Sequence, residues 1–137
     1  MYPDGQHILV IDDEAGRRQL CEGVLREAGF AVIAVSESVS AIRAAASRRF
    51  MLVLAAVDLP GTLDGLVTVR QIRARQPWLR ALFVGEVAQR PLLRTRGRDD
   101  FIPSPFNHRD LLGCVFELMN REVAPLPDEP RASRRTG

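Results

Sequence analysis

The sequence predicts an α/β chain, a doubly wound sheet of five parallel strands carrying five helices. Three observations predict it. Short apolar runs without a polar interruption recur along the chain, as strands buried on both faces require. Between them lie stretches whose apolar residues are three or four apart, the spacing of amphipathic helices. Strands and helices alternate strictly, and right-handed crossovers then make the strands parallel and put helices on both faces.

The first strand is His7–Ile11, rich in β-branched residues. A helix follows over 15–28, with Leu20, Cys21, Val24, Leu25 and Ala28 in one stripe and Gly29 at its stop. Residues 30–35 form the second strand. Ser38 is placed to cap a helix running to about Ser47, with Val39, Ile42, Ala45 and Ala46 on one face. Residues 50–56 make the third strand, central because they include no polar side chain. Residues 58–65 (DLPGTLDG) are dense in turn formers and read as a loop. A helix follows from Leu66 to about Gln76, ended by Pro77. Residues 81–84 are the fourth strand, 86–97 a weak helix interrupted by Pro91, and 101–102 a short fifth strand. Asn107 caps a last helix to about Arg121, with Asp110 at its third position as in a capping box. Residues 1–121 thus form one domain, and 122–137 a Pro- and Arg-rich tail expected to be disordered.

At 137 residues, 46% hydrophobic and 26% charged, the chain suits one soluble domain. No apolar run approaches the roughly 18 residues of a membrane helix, and the N-terminus lacks the pattern of a secretory signal. A cytoplasmic location is expected. Cys21 and Cys114 lie outside any metal or redox spacing and read as reduced packing residues. All 19 basic residues are arginine. The absence of lysine excludes Schiff-base chemistry and any P-loop. Arginine clusters at 70–80, 90–98 and 131–135 are nearly balanced by acids, and with no groove-reading motif nucleic-acid binding is not expected. His7 and His108 read as solvated rather than catalytic.

In a doubly wound sheet the functional crevice lies at the carboxyl ends of the strands. Asp12, Asp13 and Glu14 stand there directly after the first strand, and clustered carboxylates in a crevice usually serve a cation. A nucleotide-site reading of this strand needs a phosphate-binding lysine that the chain does not have.

Residues 8–14 (ILVIDDE), 50–65 (FMLVLAAVDLPGTLDG) and 101–106 (FIPSPF), followed by Leu111 and Leu112, resemble three signatures of the response-regulator receiver domain: its acidic pair, its third strand with the following loop, and its Lys-Pro turn. The resemblance runs from about His7 to Met119. It implies a flavodoxin-like sheet of strand order 2-1-3-4-5. It also implies a phosphoacceptor aspartate four residues before the loop proline, a hydroxyl residue closing the fourth strand, and a lysine before a proline after the fifth.

Here those positions hold Ala56, Gly85 and Ser104. A methyl group cannot form an acyl phosphate, a glycine donates no side-chain hydrogen bond, and serine carries no charge. Asp58 is the nearest other carboxylate, expected as a turn residue bonded to its own backbone and facing away from the pocket. Asp12 and Asp13 match the Mg²⁺-holding pair, but with one charged ligand missing any Mg²⁺ binding is expected to be weak or absent. No other cofactor is expected. Phe101 matches the aromatic switch position and reads as a fixed anchor on the face formed by the fourth helix, fifth strand and last helix. That face, with an exposed Phe106, is the one expected to bind a protein partner or a second copy; a histidine kinase or another response regulator is the candidate partner.

The expected function is therefore a phosphorylation-independent, non-enzymatic interaction module of a two-component pathway. The alternative is a Mg²⁺-dependent phosphoacceptor using Asp58 or Asp13. The tail leaves no space for a helix-turn-helix output domain, so direct transcriptional control is not expected.

Overall fold

The computed structural model describes residues 7–92 and 97–123, with backbone alone for 90–92. Five strands, β1 (His7–Ile11), β2 (Ala31–Val35), β3 (Leu52–Ala56), β4 (Arg80–Gly85) and β5 (Asp99–Pro103), form one sheet in the order β2-β1-β3-β4-β5. Every pairing is parallel, and the registers bring Ile11 beside Ala55, Ala56 beside Val84, and Gly85 beside Pro103. The strand ends that bound the crevice are thus aligned across the sheet.

Four α-helices accompany these strands among the described residues: α1 (Ala15–Glu27), α2 (Ser38–Ser47), α3 (Gly65–Arg73) and α4 (His108–Asn120). The helix expected over 86–97 is instead a 3₁₀ helix at Val87–Leu92, with residues 93–96 outside the described part. Proline lacks an N–H for the helical ladder, so Pro91 weighs against a regular α-helix there. β4 and β5 are longer than their apolar runs, because the parallel pairing extends to Arg80 and Asp99, whose polar groups are bonded within the fold: Arg80 Nη1 donates to the Leu118 and Arg121 carbonyls, and Asp99 Oδ1 accepts from Arg73. The tail expected from 122 lies beyond the described residues after Val123.

β1, β3 and β4 are sandwiched, which is why their side chains show no alternation. Ile8, Leu52, Leu54 and Leu82 pack under α1 and α4 against Leu25, Leu111, Val115 and Leu118. Leu9, Ile11, Val53 and Phe83 pack on the other face against Ala41, Val69 and Ile72. Burying each large side chain contributes about 1.5–3 kcal/mol before conformational entropy is subtracted. Phe101 is buried in this second layer at 3% exposure, an internal anchor and not an exposed one. Phe106 is half-buried against the first layer, contrary to the exposure expected of it.

Two of the helix starts differ in how they are capped. Asn107 accepts a hydrogen bond from the Asp110 amide at 2.8 Å, as its sequence pattern predicts. Ser38 does not cap α2: Glu37 holds that position without a side-chain bond, and the Ser38 hydroxyl donates to the Leu63 carbonyl. The serine therefore ties α2 to the loop before α3. At the far end of the sheet the buried Gln76 amide accepts from the Phe50 N–H and donates to the carbonyls of Ala45 and Arg48.

Candidate functional site

Asp12 follows β1 directly and is buried at 3% exposure. A carboxylate removed from water needs hydrogen bonds and a counter-charge, and Asp12 has both. Its Oδ1 accepts from the Glu14 amide at 3.0 Å and from Arg17 Nη2 at 2.9 Å, while its Oδ2 accepts from Arg17 Nε at 2.5 Å. Arg18 Nη1 donates to its carbonyl at 2.9 Å. The Arg17 guanidinium spans further and donates from Nη1 to Ser104 Oγ at 3.2 Å. Its pKa is raised above the ordinary arginine value, chiefly by the hydrogen bond to Asp12 and in spite of partial burial.

Arg17 sits in the first turn of α1, whose N-cap Glu14 accepts from the Arg17 amide. The positive end of a helix disfavours a cation. An arginine there without acidic company in the first turn is the one sequence signal that could have marked it as a partner for Asp12. Asp13 is exposed.

Ala56 ends β3, buried at 2% exposure, and the chain beyond it is held closely. The Gly65 N–H donates to the Val57 carbonyl at 2.8 Å. A Cβ on Gly65 would collide with the Ala56 carbonyl, so only glycine fits at that start of α3. Gly85 ends β4. Over it lies Gln89, whose Oε1 accepts from the Glu86 amide at 2.8 Å and whose Nε2 donates to Asp58 Oδ2 at 2.9 Å. A Cβ on Gly85 would run into that carboxamide. Asp58 is therefore not folded onto its own backbone as expected. It lines the crevice, together with Arg17, Val84, Gly85, Glu86, Gln89 and Ser104, around a polar hollow of about 250 Å³.

The structure thus gathers Asp12, Asp58, Gly85 and Ser104 at one end of the sheet and adds Arg17 and Gln89, which sequence reasoning missed. Cys21 lies under this end as a buried thiol whose pKa is pushed up to about 12, mainly by burial. Such a thiol is protonated at neutral pH and is no nucleophile. Arg17 has donors only, so a base for Ser104 would have to come from elsewhere, and Asp12 is already taken.

Residues 8–116 match the family model of the response regulator receiver domain. The chain belongs to that family. Relatives of this receiver domain include PetR of Rhodobacter capsulatus, 32% identical over 84% of this chain and 49% of that protein, and the transcriptional regulatory protein ResD of Bacillus subtilis, 34% identical over 83% and 48%. The chain spans about half the length of the curated relatives it matches. Among solved structures, a response regulator receiver protein from Sinorhizobium medicae aligns with a TM-score of 0.76 at 26% identity, covering 85% of this chain and 96% of that one. The receiver domain of NtrX from Brucella abortus aligns at 0.73 and 30% identity, covering 83% and 99%. The strand order is the one that the resemblance implied.

The divalent ion expected in a receiver crevice does not fit the residues present here. Such an ion needs several oxygen ligands in near-octahedral array. Both oxygens of Asp12 are engaged by a guanidinium, and β3 ends in a methyl group. Among the described residues no group of three or more His, Cys, Asp or Glu side chains is placed to hold a metal. Also among them, no helix is long and apolar enough to cross a membrane.

Proposed function

We propose that this receiver domain is a phosphorylation-independent signalling and interaction module of a two-component pathway, non-enzymatic and cytoplasmic. One observation carries the reading: β3 ends in Ala56 where a receiver's acceptor carboxylate is expected. The loss of a side-chain donor at Gly85 and of a positive charge at Ser104 supports it, because each removes a different interaction with a phosphoryl group. A domain without the switch chemistry acts through the surface it always presents.

The face formed by Val87–Leu92, β5 and α4 is the surface we assign to a protein partner or a second copy, a histidine kinase or another response regulator being the partner class. Val87, in the 3₁₀ segment of this face, is 66% exposed. Phe101 contributes from beneath, as a buried anchor.

A second reading keeps the chemistry on a non-standard aspartate. Asp58 favours it, because that carboxylate lines the crevice with Arg17 and Ser104; Asp13, exposed and next to Asp12 in sequence, is the other candidate. Titration with Mg²⁺ and beryllium fluoride, read by NMR amide shifts, separates the two. Silence at Asp13, Ala56 and Gly85 is the expected result. Saturable shifts reaching Phe101, abolished by Asp58→Ala or Asp13→Ala, would replace the first reading with the second.

A further inference from the structure

We infer that Arg17 is a tethered cation, which takes the place in this crevice that a divalent ion and a lysine ammonium share in a phosphorylatable receiver, and which joins the β1–α1 corner to the β5–α4 turn. Three observations carry it. The guanidinium meets both carboxylate oxygens of a buried Asp12, at 2.5 and 2.9 Å. Its remaining terminal nitrogen reaches Ser104 Oγ, at the position where the resemblance calls for lysine. And Arg17 sits in the first turn of α1, where the helix dipole opposes a cation and only a strong anion offsets it.

The geometry suits arginine and not lysine. A planar fork can satisfy two oxygens of one carboxylate and still offer a third donor on the other side, whereas an ammonium is a single point charge. The chain has no lysine with which to divide these tasks. Charge agrees: one guanidinium neutralises Asp12, the one buried carboxylate among the described residues, with a side-chain exposure of 4% against 21% for Arg17. Of the two acids lining the hollow near Ser104, Asp58 is engaged by Gln89 and Glu86 is exposed. A divalent ion arriving at Asp12 would have to expel Arg17 or add positive charge beside it.

This inference concerns cation occupancy, and it can fail while phosphorylation independence holds, or the reverse. The test is the unfolding midpoint of the full chain in rising Mg²⁺ or Mn²⁺ at constant ionic strength. The variants are Arg17→Gln, which keeps most of the stem, Arg17→Ala and Arg17→Lys. A ligand that binds only the folded state raises the midpoint as its concentration passes its Kd, by a term that grows with log concentration. The wild-type midpoint is expected to stay flat to about 10 mM metal, well past the Kd of a working site. Arg17→Gln and Arg17→Ala start lower and recover saturably with metal, and in them Mn²⁺ broadens the amide signals of Asp12 and Asp13 at concentrations at least about tenfold below any effect on wild type. Arg17→Lys stays metal-insensitive but starts below wild type, having lost the planar fork that meets both Asp12 oxygens and Ser104 together. The inference is overturned if wild type is stabilised by metal as much as the variants are. It is equally overturned if removing Arg17 leaves the midpoint unchanged, or lowers it without any metal response.

Discussion

Asp12 and Cys21 are both buried at this end of the sheet, and they differ in what surrounds them. Asp12 accepts from both sides of a bidentate guanidinium and from a backbone amide. Cys21, at 1% exposure, keeps its proton, its pKa pushed from 9.0 to about 12 by burial, with the Asp12 charge adding to the effect and Arg17 opposing it. The sign of the linkage follows. Unfolded chain releases this proton near 9.0 while folded chain retains it to about 12, so the unfolded state binds fewer protons between those values and stability falls as pH rises through them. Urea unfolding at several pH values above 9 should show that fall, with its slope reduced in Cys21→Ala. An equal slope in the variant would assign the effect to other groups. A thiol-reactive disulfide reagent at pH 8 should likewise leave Cys21 unmodified in the folded chain.

At the level of elements, helix starts show what a cap contributes when it is real. Asn107 holds the Asp110 amide at the N-terminus of α4, whose Leu111, Val115 and Leu118 supply one side of the first core layer. Asn107→Ala should cost about 1 kcal/mol in urea unfolding. Ser38→Ala should leave the capping of α2 untouched, since Ser38 is the helix's first residue and donates to Leu63 instead. Its expected signature is different: amide shifts at Leu63 and Asp64, where α2 is tied to the loop before α3, with little change within α2 itself. A loss of helical signal in α2 for this variant would show that the serine caps after all. The 3₁₀ segment Val87–Leu92 illustrates the converse, an element without a regular helical ladder that is positioned by Gln89 binding across to Asp58.

Across the whole molecule, the four strand ends at the crevice are coupled in two pairs. Arg17 ties the end of β1 to the turn after β5, and Gln89 ties the loop after β4 to the loop after β3. Restoring the three family side chains should therefore not by itself restore the chemistry. Ala56→Asp, Gly85→Thr and Ser104→Lys together must displace Gln89, which a Cβ on Gly85 would strike, and still leave Arg17 on Asp12. Labelling of this triple variant by acetyl phosphate with Mg²⁺, followed by intact mass, should be low. Adding Arg17→Ala should raise it by about tenfold or more, the effect of about 1.4 kcal/mol in the barrier or in metal occupancy. Equal labelling with and without Arg17 would mean that the arginine does not guard the site.

By itself the sequence determined the fold class, the alternation of strands and helices apart from the segment after β4, the end of the sheet where a site must lie, and that Ala56, Gly85 and Ser104 stand at the positions the resemblance matches. These are legible because they depend on local periodicity, crossover handedness and residue type, each of which is written along the chain. Only the tertiary structure decided what fills the crevice. Arg17 and Ser104 are 87 residues apart and Gln89 and Asp58 are 31 apart, and no periodicity links either pair. The same holds for Asp58, which accepts from a glutamine arriving from the loop after β4, and for Phe101, which packs into the second core layer. Side chains that meet across the ends of a parallel sheet are brought together by strand order and register, and those follow from the packing of the whole domain.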